Sequence, residues 1–184
     1  RETRYAQPAV FVASVAAAEA LQSWGVEPSG VAGHSLGEYS ALVEAGAIRF
    51  EDGLRLVQER ARLMSECAGR RSGGMAAVLG LTRADIEALV ERHAEDCPVQ
   101  VANVNGPGQI VVSGAEECLE KFCALAVANG ARKTVRLQVS GAFHSELMAE
   151  ASHGLEEVVG GFRFNVPRVP FVSNVTADFV TEPE

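Results

Sequence analysis

The chain has 184 residues, 47% of them hydrophobic and 22% charged, with a formal charge of −8. That length supports one good core, or a core with a small inserted lobe. The acidic balance argues against a nucleic-acid binder and against docking on anionic membranes, and no run approaches the roughly 18 apolar residues of a transmembrane helix.

The chain opens Arg1-Glu2-Thr3-Arg4 with no charged-then-apolar signal pattern. Gln7 to Gln22 is Ala-rich with Pro8 in the first turn, and predicts a buried helix that ends at Trp24-Gly25. Val31-Ala32-Gly33 reads as a short buried strand. Gly33-His34-Ser35-Leu36-Gly37 follows, and Glu38 to Gly46 has helical content stopped by a glycine. Phe50 to Ala68 predicts a second helix with Leu54, Val57, Ala61 and Met64 on one face; Arg55, Arg60 and Arg62 are expected off that face. Residues 69–74 read as a flexible link.

A different pattern then begins. Met75 to Leu79 is a strand, Thr82 caps a helix over Arg83 to His93, and Val99 to Val104 is a strand. Asn105-Gly106-Pro107-Gly108 is a strong turn. Ile110 to Ser113 is a strand, Glu116 to Ala128 a helix ended by Asn129-Gly130, and Lys133 to Val139 a strand. The order βαββαβ is that of ferredoxin-like lobes. Residues 140–145 break the periodicity, Glu146 to Val159 is helical, and Phe164 to Val180 carries two or three apolar runs cut by Pro167, Pro170 and Asn174. The expected division is a larger lobe of residues 1–72 and 140–184 and a small lobe of residues 73–139.

Cys67, Cys97, Cys118 and Cys123 form no C-x-x-C pair, and the four histidines are scattered, so no metal site is expected and the cysteines read as reduced structural thiols in the cytoplasm.

Gly33-His34-Ser35-Leu36-Gly37 has the G-x-S-x-G form of a nucleophile elbow, in which a strained turn lifts a serine out of a sheet end. The glycines on both sides are expected to let strand and helix pass closely. The following helix points its first N–H groups at the place where an oxyanion would develop. The same residues also read as a helix start, with Ser35 as cap and Glu38 closing a capping box. A nucleophilic serine needs a base, and His144 stands outside the periodic elements, in Gly141-Ala142-Phe143-His144-Ser145. A capping or surface histidine is the plainer reading of it. His93 and His153 lie on polar helix stretches. His34 is adjacent to Ser35 and points away from it. Orientation of the histidine by a carboxylate or by a backbone carbonyl is equally allowed.

Taken together, GHSLGEYSALVEAGAI, QERARLM (residues 58–64), GMAAV (74–78), ANVNGPGQ (102–109) and GAFHS (141–145) resemble the malonyl-CoA:acyl-carrier-protein transacylases and the related acyltransferase domains of fatty-acid and polyketide synthases. The resemblance runs over nearly the whole chain. It implies an α/β fold: an α/β-hydrolase-like large lobe with an inserted ferredoxin-like small lobe. It implies Ser35 as nucleophile, His144 as base, the Leu36 N–H in the oxyanion hole, and Arg60 as the holder of the malonyl carboxylate. GAFH fits the malonyl type. Gln7, His34, Asn105 and Phe143 complete the expected substrate pocket, and Arg132 and Lys133 the expected carrier-docking patch, with Arg70 and Arg71 behind them.

The reaction implied is transfer of malonyl from malonyl-CoA to the phosphopantetheine thiol of acyl carrier protein through a malonyl-serine, without metal or redox cofactor. The protein is expected to be a monomer or part of a larger synthase, in the cytoplasm. A serine hydrolase or thioesterase with the same elbow is the alternative. The family's Gly-Gln-Gly oxyanion segment and its histidine-orienting C-terminal segment are not found in the chain. An open edge is therefore expected on the large-lobe sheet.

Overall fold

In the computed structural model the chain is mixed α/β, and residues 2–95 and 97–180 are described; residues 1, 96 and 181–184 lie outside that description. It divides into two compact units, residues 63–153 with 1–3, and residues 4–62 with 154–184.

In the first unit, β2 (Gly73–Leu79), α4 (Arg83–His93), β3 (Val99–Gly106), β4 (Gln109–Ala115), α5 (Glu116–Ala128) and β5 (Lys133–Arg136) follow in the expected βαββαβ order. The strands form an antiparallel sheet ordered β3-β4-β2-β5. Strand β2 is buried on both faces, which the period of two explains. Ala76 and Val78 face a core with Ile86 and Leu89 of α4, Leu119, Phe122 and Ala126 of α5, and Ile110 and Val112 of β4. Met75 and Ala77 face the other way, into a cluster with Val111, Val135, Leu137 and Phe143. The Thr82 hydroxyl accepts from the Asp85 N–H, and the Asp85 carboxylate accepts from the Thr82 N–H, so α4 starts in a full capping box. The Thr82 hydroxyl, which donates to the Asp85 carboxylate at 2.6 Å, and the Thr82 N–H hold the Asp85 carboxyl below its ordinary pKa.

The ladder between β2 and β5 ends at Ala76 and Arg136, so β5 stops short of the expected Val139; Leu137 adds one further bond to Met75 O. Cys97 and Cys118 are joined in a disulfide, with Cα atoms 5.0 Å apart. This corrects the expectation of four reduced thiols. The chain between α4 and β3 meets the first turn of α5 across 21 residues of sequence, a separation that leaves no local motif. Cys67 and Cys123 are free thiols.

The second unit contains α1 (Thr3–Ser23), β1 (Val31–Ala32), α2 (Gly37–Glu44), β6 (Phe171–Val172), β7 (Phe179–Val180) and most of α6 (Ala149–Val159), and it shares α3 (Phe50–Arg70) with the first unit. A 3-10 turn, Glu146–Met148, precedes α6, where a continuous helix was expected. Helix α1 starts earlier than expected and runs through Pro8. Pro8 has no N–H to donate, but Gln7, Phe11 and Val15 form a buried stripe at four-residue spacing that holds the helix across it. Phe11 stacks on Phe50 with ring centroids 5.6 Å apart, in a cluster with Val15, Val57, Leu36, Tyr39 and Val43. A Cβ on Gly53 would come within 3.0 Å of Phe11 and Val43, so this glycine lets the helices approach.

The sheet of this unit is ordered β1-β6-β7, with β1 parallel to β6. Among the described residues β1 pairs on one side only, which is the open edge expected. Val31 aligns with Phe171 and Ala32 with Val172, so the segments that follow both strands leave at the same end of the sheet.

Candidate active site

That sheet end carries the Ser35 turn. Ser35 has φ +52°, a left-handed conformation that costs a residue with a Cβ roughly 1–2 kcal/mol. A Cβ on Gly33 would sit 2.0 Å from the backbone of Gly37, so the first glycine is obligatory. Gly37 differs from expectation: a Cβ there meets nothing within 4 Å. The turn is closed by Gly37 N–H donating to His34 O at 3.0 Å and Glu38 N–H to Ser35 O at 3.2 Å. Leu36, not Ser35, is the N-cap of α2, and no side chain caps it. The capping-box reading therefore fails, because both of its side chains are engaged elsewhere. Ser35 Oγ accepts from Arg60, and the Glu38 carboxylate accepts from the Asn174 N–H at 3.0 Å.

Arg60 is the second component. It was expected off the buried face of α3, yet it is 9% exposed. The helical period explains this: Gly53, Leu56, Val57, Arg60 and Ala61 share one face. Its Nη2 donates to Ser35 Oγ at 2.9 Å and its Nη1 to Gln7 Oε1, while the guanidinium carbon stands 5.7 Å from the centre of the Tyr39 ring. Among the described residues no carboxylate pairs with it. Burial lowers its pKa, partly offset by the neighbouring Tyr39 and Glu38, and burial raises that of Tyr39.

A guanidinium is never neutral at working pH. A buried one without an acidic partner is a ready site for a carboxylate that arrives with a ligand. Its bond to Ser35 Oγ also favours the alkoxide form and directs the serine's own proton towards another acceptor.

Asn174 is the third component, and nothing local in the sequence marks it. Its Oδ1 accepts the Ser35 N–H at 2.9 Å, and its Nδ2 donates to Gly33 O at 2.6 Å.

The remaining predicted residues, apart from His34, lie in the first unit. His144 has φ +60°, and its segment is closely held. Ser145 Oγ donates to Ala142 O at 2.6 Å, and the Glu146 N–H donates to Gln100 Oε1 at 2.6 Å. A Cβ on Gly141 would lie 2.7 Å from Ala68 Cβ. Phe143 packs against Met75, Ala77 and Val111 and also against Cys67, Met148 and Ala151, so it anchors this segment. Asn105 lies beside the β3–β4 turn, five residues along β3 from Gln100. The exposed Arg132 and Lys133 flank the same end of the sheet, where Lys133 aligns with Leu79 and Leu79 with Gln109. His34 is exposed beside Ser35. Among the described residues no group of histidine, cysteine and acidic side chains could hold a metal ion.

A family model described as "Acyl transferase domain" matches residues 1–184. The chain belongs to this acyl transferase family. The malonyl CoA-acyl carrier protein transacylase of Bacillus subtilis (strain 168) is 44% identical over 181 residues, which cover 98% of this chain and 57% of that protein. The solved structure of the malonyl CoA-acyl carrier protein transacylase from Coxiella burnetii superposes with a TM-score of 0.94 at 37% identity, covering 98% of this chain and 58% of that one. A type II PKS acyl-carrier protein in complex with its malonyl-transacylase matches with a TM-score of 0.93 at 38% identity, over 98% of this chain and 59% of that one. This acyl transferase chain thus spans somewhat more than half the length of these three relatives. Among its described residues no helix is long and apolar enough to cross a membrane.

Proposed function

We propose that the chain transfers a malonyl group from malonyl-CoA to the phosphopantetheine thiol of acyl carrier protein. The observation that carries this reading is Arg60: a buried cation that forms no ion pair with a carboxylate among the described residues, bonded directly to the serine of a nucleophile elbow. A site for simple acyl groups has no use for it, because it would leave the guanidinium unpaired beside every substrate. Malonyl supplies one carboxylate, at the far end of a three-carbon acyl group from the thioester.

In this reading Ser35 Oγ gives its proton to His144 and attacks the thioester carbon. The oxyanion is held by the Leu36 N–H, and coenzyme A leaves as its thiol with the proton from His144. The carrier thiol then attacks the malonyl-serine ester with the same proton relay reversed. Gln7 holds Arg60 in place, and Arg60 holds the malonyl carboxylate in two parallel hydrogen bonds. Gln7, His34, Asn105 and Phe143 are the further substrate-pocket residues of this reading. Arg132 and Lys133 receive the acidic carrier protein. The reaction as written needs no cofactor beyond its two substrates.

The fold that suits this chemistry is an α/β-hydrolase-like lobe, residues 1–72 and 140–184, with a ferredoxin-like lobe, residues 73–139, inserted. The setting is the cytoplasm, as a freestanding monomer or within a larger synthase. The names of the relatives and the match to a carrier complex support the substrate and the partner. The test is digestion and mass mapping after incubation with labelled malonyl-CoA: the label is expected on the Ser35 peptide and is lost in Ser35→Ala. Label elsewhere, or label that survives this substitution, overturns the assignment.

A further inference from the structure

We infer that Asn174 is a positioning residue for Ser35: its side-chain amide clamps the serine turn in the strained conformation from which it reacts. The inference rests on the reading of Ser35 as nucleophile.

Strands β1 and β6 are parallel and in register, so the chain beyond β6 runs beside the chain beyond β1. Asn174 stands there with three bonds. Oδ1 accepts from Ser35 N at 2.9 Å, Nδ2 donates to Gly33 O at 2.6 Å, and its own backbone N donates to Glu38 Oε1 at 3.0 Å. The side chain thus satisfies one backbone group on each side of His34, as a neighbouring strand would, at the point where the ladder has ended. A planar amide is suited to this, because it carries a donor and an acceptor side by side. The orientation is fixed by the partners, since the flipped amide would set donor against donor. Glu38, in the first turn of α2, then ties the clamp to the helix that follows the serine.

The turn has a reason to need a clamp. Ser35 sits at φ +52°, and a serine freed from its restraints relaxes towards ordinary backbone angles. Relaxation would swing Oγ away from Arg60 Nη2 and re-aim the Leu36 N–H. Asn174 is exposed, so its hydrogen bonds compete with water and add little to global stability. The effect belongs to the rate of the chemical step, where a misplacement of about 1 Å can cost roughly 100-fold.

The test uses the protein at its natural length and malonyl-CoA as probe, with acyl-enzyme formation followed by rapid-quench intact mass beside KM and thermal melting. Asn174→Ala should slow acylation about 100-fold while KM and melting temperature change little. Acylation at the unmodified rate overturns the proposal, as does slowing that merely tracks the unfolded fraction. If Asn174→Ala does not fold, the isosteric Asn174→Asp decides. Its ionised carboxylate can accept from Ser35 N but cannot donate to Gly33 O, whereas the protonated acid does both.

Among the described residues the titratable and charged groups around that position are His34 between the two bonded backbone groups, Glu38 on α2, Arg60 on α3 through Ser35 Oγ, and Asp178 on its own loop. The ratio of variant to unmodified acylation rate should rise as pH falls; a flat ratio overturns the proposal. Malonyl uptake that persists in Ser35→Ala would instead refute the nucleophile, whatever the Asn174 variants do.

Discussion

Replacing Arg60 by alanine should change what the enzyme accepts more than it changes the fold. Arg60 is 9% exposed, and its guanidinium spends its described hydrogen bonds on Ser35 Oγ and Gln7 Oε1. Its removal leaves Gln7 Oε1 without that donor, at a cost of about 1–3 kcal/mol. The same substitution relieves the penalty of a buried cation that has no ion pair among the described residues, which acts in the opposite direction. Stability should therefore move little. Discrimination has no such compensation. In the proposed function, two charge-assisted hydrogen bonds to the malonyl carboxylate are worth about 2–4 kcal/mol together, or roughly 30–700-fold at about 1.4 kcal/mol per decade. The assay is kcat/KM for malonyl-CoA against acetyl-CoA. The ratio should fall by that factor in Arg60→Ala and by less in Arg60→Lys, which keeps the charge and loses the planar fork. An unchanged ratio in Arg60→Ala, with the fold intact, would refute the reasoning.

Gly33→Ala places a Cβ 2.0 Å from the backbone of Gly37, so the elbow must open; fluorophosphonate labelling of Ser35 should be lost and the melting temperature lowered. Removing the Cys97–Cys118 link, which spans 21 residues, should cost about 3 kcal/mol, or roughly 6–12 °C in melting temperature, and an unaltered melt under reducing conditions would contradict this. Burial raises the Tyr39 pKa, so the folded state holds this proton more tightly than the unfolded state. The resulting stabilisation is complete below the ordinary tyrosine pKa of about 10 and is lost as pH rises through the folded value. Denaturant midpoints above about pH 10 should fall less steeply in Tyr39→Phe than in the unmodified protein.

What was legible in the sequence was local. Gly33 to Gly37 announces its turn because one glycine cannot carry a Cβ and one serine must go left-handed, both within five residues. Thr82 and Asp85 announce a helix start three residues apart, and the alternation of Met75 to Leu79 announces a strand with two covered faces. What was not legible depends on distant partners. Whether Ser35 caps its helix turns on Arg60 and Asn174, which claim the side chains a capping box would use. Arg60 reads as lying off the face of Leu54, Val57, Ala61 and Met64, although the helical period sets it beside Val57 and Ala61. The continuation of α1 through Pro8 follows from the buried stripe of Gln7, Phe11 and Val15, which outweighs one missing hydrogen bond.

The central claim is that Ser35 hands malonyl to a carrier thiol rather than to water. The most direct measurement isolates the malonyl-enzyme by rapid gel filtration and follows its decay by intact mass, with and without holo acyl carrier protein. The account predicts a stable adduct on Ser35 that is slow to hydrolyse and transfers to the carrier on mixing, with no adduct in Ser35→Ala and one formed orders of magnitude more slowly in His144→Ala. Free malonate released at the same rate whether or not the carrier is present would contradict it.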